Sequence, residues 1–349
     1  MLIEGTSWHA AAARHTSRSR RRRGLGVLGA VLVTVVTCAV AGCSDGSGAQ
    51  QGPPSKVTFG YQPGIAYMPY LVMKEKHWFE EAFPNTKIEW RMLSSGASIR
   101  DGILSGDIDV GAVGPPPYFS AWQQGTDWKI ISSTQMIDHW LITSNDRVKS
   151  IKDIKPNMKI AVPSPDSTNA LFVRWVARKE LGDAGALDAN FVAMGHPDAV
   201  KALLAHQIAA SMSSPPFQFQ AVSEGARQVF RDDNTFGWSS ATLNVAKSTF
   251  NDDHPQFVKK FYEFDKKAKG IIEENPRLAG ELYAKGIGQP DVAKQVPAWL
   301  EDAHGVKFAM APRGVMKQAR FMKEIGQLKK VPNSIEDIEF STLKGSPGS

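Results

Sequence analysis

Two rhythms of apolar and polar positions alternate along the chain from residue 56 onward. Short apolar or alternating runs read as strands: VTFGYQ (57–62), KIEWRML (87–93), IDVGAVG (108–114) and WKIISSTQ (128–135). Between them lie segments with helical spacing, 66–83 and 94–107, and Pro69 fits the first only in its opening turn. The order then repeats. A strand ends at 163, and SPDSTN leads into an amphipathic helix that Gly182 should stop. Next come a strand at 189–194, a helix at 197–207, a strand and turn at 208–217 and a short strand at 227–233. Segments 139–148 and 238–250 are β-rich and stand between the two series, as crossings. The tail is helical over 254–275, 276–288, 290–303 and 313–328.

Repeated strand–helix alternation argues for an α/β protein with parallel sheets covered by helices. An internal echo divides it into two lobes. ILSGDIDVGAVGPPPYF (103–119) aligns without a gap on LLAHQIAASMSSPPFQF (203–219), pairing Ile108 with Ile208, Pro115 with Pro215, Pro116 with Pro216 and Phe119 with Phe219. The expected organisation is one lobe from 56–142 and 243–349, carrying the C-terminal helices, and a second from 143–242. Three consecutive prolines cannot donate to a ladder, so 115–117 should mark a strand exit and a stiff edge to a cleft.

Open α/β sheets bind ligands at the carboxyl ends of their strands. That rule selects the candidate ligand-binding residues. Gln62 and Tyr67 follow the first strand, Ser95 opens a helix, and Gly114 and Pro115 follow the third strand. In the second lobe Ser167, Thr168 and Asn169 open a helix, and Ser214 and Phe217 follow the echoing strand. Free N–H groups at helix starts suit a small anion or polar group without a full cation. Gln135 and His139 are weaker candidates, and Arg100 and Arg174 are expected on solvated helix faces.

The chain has 349 residues, of which 42% are hydrophobic and 22% charged, a globular composition long enough for two domains. Its formal net charge of +6 is concentrated at the N-terminus. Residues 1–42 hold six arginines (Arg14, Arg18, Arg20, Arg21, Arg22 and Arg23) against the single acid Glu4. The remainder is near neutral and has no footprint for nucleic acid. The basic run, the apolar stretch 24–40 and the small residues before Cys43 have the form of a lipoprotein signal peptide, 1–42. Cys43 would then carry lipid, 43–55 would be a flexible tether, and the mature protein would sit outside the cell membrane, anchored to it. Arg22-Arg23-Gly24-Leu25 matches half of a twin-arginine signal, with Gly26 in place of the expected hydrophobic residue. No cysteine remains after Cys43, which excludes a disulfide, a redox pair or a thiolate metal site in the body. No metal or cofactor is expected, and no Walker, HExxH, GxSxG or dinucleotide fingerprint is present, so an enzyme is not expected.

The lipoprotein signal, GYQPG (60–64), SSG…SGDIDVGAVG (94–114) and SIKDIKP…KIAVP…STN (150–169) together resemble the nitrate/sulfonate/taurine group of ABC-transporter solute-binding proteins. The resemblance covers about 56–330, with SGDIDVG its most specific segment. It implies a type II periplasmic-binding-protein-like fold whose two α/β lobes close on a small molecule. The implied partners are a membrane permease and its ATPase, and a sulfonate- or taurine-like solute is favoured. A solute sensor for a signalling system is an alternative function. So is a thiamine-pyrimidine-precursor binder or enzyme on the same fold, although the enzymes depend on a cysteine-rich motif missing here. Some family members carry an acidic residue or tryptophan before the second-lobe proline, where this chain has Ser213-Ser214-Pro215-Pro216. A ligand amine held by an acid at that place is therefore not supported.

Overall fold

A computed structural model describes residues 52–232, 235–236, 239–301 and 306–341. The expected signal segment 1–42, Cys43 and the tether up to residue 51 lie outside the described residues. The first series of elements is β1 (Lys56–Tyr61), α1 (Met68–Glu75), α2 (Trp78–Ala82), β2 (Lys87–Met92), α3 (Gly96–Ser105), β3 (Val110–Val113), α4 (Pro115–Gln123) and β4 (Trp128–Ile137). The second is β5 (Trp140–Thr143), β6 (Ile160–Val162), α5 (Thr168–Leu181), β7 (Phe191–Ala193), α6 (His196–Leu204), β8 (Ala210–Ser213), α7 (Phe217–Ser223) and β9 (Arg227–Arg231). β10 (Ser240–Lys247), α8 (Ser248–Asp253), α9 (Pro255–Glu274), α10 (Pro276–Gly286), α11 (Val296–Trp299), β11 (Val306–Phe308) and α12 (Val315–Glu324) complete the order.

The strands form two sheets, β11-β4-β10-β3-β1-β2 and β7-β6-β8-β5-β9. Both sheets are built alike. β1 pairs in parallel with β2 and β3, and β6 with β7 and β8. A crossing strand then joins each third strand antiparallel: β10 on β3, and β5 on β8. The chain passes from the first sheet to the second at 138–139 and returns between β9 and β10. The segments expected as crossings are therefore strands in their own right, each a member of the sheet it enters.

Three local expectations need correction. The 66–83 helix is interrupted at His77, whose left-handed φ of 52° separates α1 from α2. The proline run does not stand outside an element: Pro115, Pro116 and Pro117 form the first turn of α4. The N–H groups of a first turn have no intrahelical acceptor, so prolines cost nothing in hydrogen bonds there. The echo diverges at this point, because α7 begins only at Phe217, with Pro216 as its N-cap. Arg174 is not on a solvated face. It is buried, with its guanidinium on Asp188 at 2.9 Å and the Pro165 carbonyl at 2.7 Å.

The first sheet rests on an aromatic core. Phe59 packs on Trp90 and Phe79, with ring centroids 4.4 and 4.7 Å away, and on Phe257 and Phe261 of α9. Inside this apolar layer lies one ion pair. Lys269 Nζ donates to Asp265 Oδ2 at 2.6 Å, one turn apart on α9, and both residues are buried. The same carboxylate oxygen accepts from Ser132 Oγ at 2.7 Å and Asn244 Nδ2 at 3.2 Å, and Tyr70 Oη donates to Asn244 Oδ1 at 2.8 Å. Lys269 also donates to the carbonyls of Ser133 and Ala309. The pair thus ties α9 to β4, β10, α1 and the segment after β11. Burial pushes the Asp265 carboxyl up and the Lys269 ammonium down, and their mutual attraction opposes both changes. Removing one partner strands a buried charge, so Asp265→Ala should destabilise the fold by about 3–5 kcal/mol. The double variant Asp265→Leu with Lys269→Met should recover most of that loss. Urea unfolding midpoints of the two variants check this.

Candidate functional site

The elements that begin at the strand ends meet in one place. β3 delivers Gly114, the N-cap of α4; β6 leads through Pro163 to Ser167, the N-cap of α5; and the loop after β1 brings Gln62, Ala66 and Tyr67. They enclose a cavity of about 40 Å³ between the two lobes. Gln62, Tyr67, Gly114, Ser167, Thr168, Asn169 and Ser214 all line it. Three other sequence candidates do not. Ser95 turns away to cap α3, accepting from Ser98 N at 3.1 Å, and its neighbour Gly96 reaches the cavity instead. Pro115 is replaced at the wall by Pro117, the last residue of the proline turn. Phe217 stands behind the wall, with its ring stacked on His196 at 5.5 Å.

Gln135 and His139 are full members of the lining, and His196 and Thr242 join them. Thr242 sits on β10, within a segment that the sequence marks only as a crossing. His196 begins α6, where its place before Pro197 gives no chemical signal in the sequence.

Four helix starts converge here. Gly96 and His196 are the first residues of α3 and α6, Gly114 caps α4, and Ser167, Thr168 and Asn169 begin α5. Each directs the positive end of its dipole at the cavity. The donors differ, however. Ser167 Oγ accepts from Ala170 N at 3.1 Å, which leaves the N–H groups of Thr168 and Asn169 without an intrahelical acceptor. The prolines of α4 remove its first three donors, and Pro117 gives the cavity an apolar floor.

The side chains add neutral polarity. Gln62 Nε2 donates to Tyr67 Oη, and Gln135 Nε2 to Thr242 Oγ1 at 2.6 Å. Asn169 Nδ2 donates to the Met212 carbonyl at 2.9 Å and Ser214 Oγ at 3.2 Å, which fixes the amide. Burial pushes the Tyr67 hydroxyl well above the usual tyrosine range, so it remains an O–H. His139 is 2% exposed, and burial together with the neighbouring His196 pushes its pKa down to about 3. Burial alone lowers His196 to about 4. His139 Nδ1 has no hydrogen-bond partner, and the ring lies against Phe172 at 4.7 Å. Among the described residues no lysine or arginine lines the cavity, and no group of three or more His, Cys, Asp or Glu is placed to hold a metal.

The lobes are closed on one another. Thr168 Oγ1 donates to the Ala241 carbonyl at 3.3 Å, and Ile65 N to the Pro215 carbonyl at 3.3 Å. Arg100 of α3 does not lie on a solvated face but forms an ion pair with Asp166 of the opposite lobe. A Cβ at Gly114 would stand 2.3 Å from Thr168 Oγ1, so only glycine permits this approach.

The two histidines carry a pH signature. Unfolded, they take protons near pH 6.5; folded, only near 4 and 3. The unfolded state binds more protons between those limits, so their contribution lowers stability as pH falls through the window. Thermal unfolding between pH 7 and 4.5 should show this acid loss, and His139→Gln with His196→Gln should flatten it.

The comparisons with known proteins agree with this architecture. Over 263 residues the chain is 25% identical to an aliphatic sulfonates-binding protein of Bacillus subtilis (strain 168), covering 73% of this chain and 77% of that one. Among solved structures it resembles the alkanesulfonate-binding protein SsuA from Xanthomonas axonopodis pv. citri bound to MOPS. That match has a TM-score of 0.66 at 20% identity, over 80% of this chain and 96% of the other. It also resembles the periplasmic nitrate-binding protein NrtA from Synechocystis PCC 6803, with a TM-score of 0.67 at 14% identity, over 82% and 85% of the two chains. The fold is therefore that of the type II periplasmic binding proteins, two α/β lobes joined by two crossing segments. The NMT1-like family model matches residues 50–277, and the chain belongs to the NMT1-like family.

Proposed function

We propose that this protein is the substrate-binding component of an ABC import system. It captures a small organic sulfonate between its lobes and delivers it to a membrane permease served by an ATPase. In this reading residues 1–42 export the chain, Cys43 carries the lipid that holds it at the outer face of the cell membrane, and 43–55 form the tether. Gln62, Tyr67, Gly114, Thr168, Asn169 and Ser214 form the ligand shell, joined by Gln135, His139, His196 and Thr242. The observation that carries the reading is the convergence of four helix starts and neutral donors from both lobes on one enclosed cavity. An oxyanion with its charge spread over several oxygens suits such a site, where N–H and O–H groups satisfy each oxygen without a buried cation. The similarity to sulfonate-binding proteins supports the same class of solute.

Calorimetric titration of the purified protein with taurine, isethionate, methanesulfonate, nitrate and bicarbonate tests this. Saturable binding of a sulfonate, with compaction in solution scattering, is expected. Binding of none of the sulfonates would overturn the reading. Closure should depend on Gly114, since even a methyl group there meets Thr168. Gly114→Trp should leave the fold intact, abolish compaction and weaken sulfonate binding by about tenfold or more.

A further inference from the structure

The cleft has two unlike ends. At one end the chain passes between the lobes, and Phe172 of α5 packs there on His139 and Phe236, one from each crossing, with ring centroids 4.7 and 5.5 Å away. The other end lies at the sheet edges β2 and β7, each separated by two strands from the crossing strand of its own sheet, β10 or β5. The residues that follow these edge strands face each other: a Cβ on Gly195 would stand 3.5 Å from the Ser94 Cβ. Beside them Arg100 of α3 pairs with Asp166, which lies between β6 and α5. The pair borders the enclosed cavity from both lobes. Arg100 comes one turn after Gly96 on the same face of α3, and Asp166 directly precedes Ser167; Gly96 and Ser167 both line the cavity. The carboxylate is held in place, since Ser164 Oγ donates to Asp166 Oδ1 at 2.7 Å and leaves Oδ2 to Arg100. Arg100 Nε donates to Asp101 Oδ1 at 2.9 Å on its own helix. The side chains of Arg100 and Asp166 are 19% and 34% exposed, so solvent reaches the pair even with the lobes closed.

We propose that Arg100 and Asp166 form a latch across the mouth of the cleft, and that Arg100 draws an anionic solute into it. The inference rests on the reading above that the solute is an anion. With the lobes apart, the guanidinium loses Asp166 and turns its outer N–H groups to the incoming anion. On closure Asp166 takes Arg100 back, and the solute passes to the neutral donors inside. This division meets two demands. A cation fixed inside the cavity would bear a desolvation cost whenever the cleft was empty, whereas one at the mouth attracts the solute without it. The body of the chain is near neutral, so attraction of an anion depends on such a local charge. A purely structural ion pair behaves differently: loss of either partner would change stability and leave the association rate alone.

The test measures association and dissociation rates of methanesulfonate on the full-length protein at about 0.01 M and about 1 M salt, where charges act over roughly 30 Å and roughly 3 Å. Arg100→Gln should slow association by about fivefold or more at low salt and remove its salt dependence, and Arg100→Lys should restore most of the rate. Asp166→Asn should associate at least as fast as the unaltered protein and dissociate faster. Without ligand, solution scattering should show both Arg100→Gln and Asp166→Asn to be larger than the unaltered protein. Unchanged association in Arg100→Gln overturns the role of Arg100 in drawing in the solute. Unchanged dissociation and unchanged size in Asp166→Asn overturn the latch. If no sulfonate binds, the reading of the solute fails, and the size of the ligand-free variants still decides the latch.

Discussion

The contact between the Gly114 backbone and Thr168 Oγ1 governs how the rest of the site can be built. The two lobes meet where the third strand of one sheet faces the helix that follows the first strand of the other, with no space for a side chain between them. This closeness makes the cavity small and lets polar groups from both sheets address one ligand. Polar contacts between the lobes surround the same place. A hydroxyl-to-carbonyl bond, a backbone bond at Ile65 and the Arg100–Asp166 pair cross it, and beside them one apolar cluster runs from Val113 and Phe119 of the first lobe to Leu171 and Phe172 of the second. A bound solute shifts the balance between closed and open arrangements only by its difference in affinity for the two.

The electrostatics of the site follow from the same enclosure. A cation buried there would bear a large desolvation cost whenever the cleft was empty. Helix starts, amides and hydroxyls present positive potential without that cost, because their dipoles belong to the backbone and remain satisfied in the open state by water. The histidines fit this scheme in their neutral form. Their low pKa values mean that each ring offers one N–H and one acceptor near neutral pH, not a charge. Among the described residues, the ion pair with both partners buried, Asp265 with Lys269, lies instead in the core of the first lobe, away from the lining. There it anchors Ser132 and Ser133 on β4 and Asn244 on β10, the two strands that carry Gln135 and Thr242.

Much of this was legible in the chain because two simple periodicities carry it. The strand and helix order, the stop at Gly182 and the echo between 103–119 and 203–219 follow from spacing and turn chemistry. Seven of the candidate residues lie on the cavity because the rule that strand ends bind ligands needs only the strand order. What escaped has physical causes. Ser95 and Ser167 are the same type of residue capping the same type of helix start, yet only Ser167 lines the cavity, and the local pattern does not separate them. Thr242 and His196 belong to segments whose local pattern is ordinary, and their role arises from a sheet pairing and a lobe contact distant in sequence. Arg100 and Arg174 have the helical spacing of exposed residues; their acid partners, Asp166 and Asp188, come from loops that pattern alone cannot place.

The proline run shows how one residue type can be used in two ways by a duplicated unit. In the first lobe Pro115 to Pro117 sit where a helix has no need of its N–H groups, so the turn is stiff and apolar and still helical. In the second lobe Pro215 and Pro216 stand before the helix, leaving the Pro215 carbonyl free to accept from Ile65 across the cleft. The two runs therefore perform different tasks: Pro117 of the first floors the cavity, and Pro215 of the second lines it and bonds to the opposite lobe. A cleft between two copies of the same unit need not be symmetric. Here the asymmetry lies in the donors: α4 begins with prolines that have none, and α5 begins with the free N–H groups of Thr168 and Asn169.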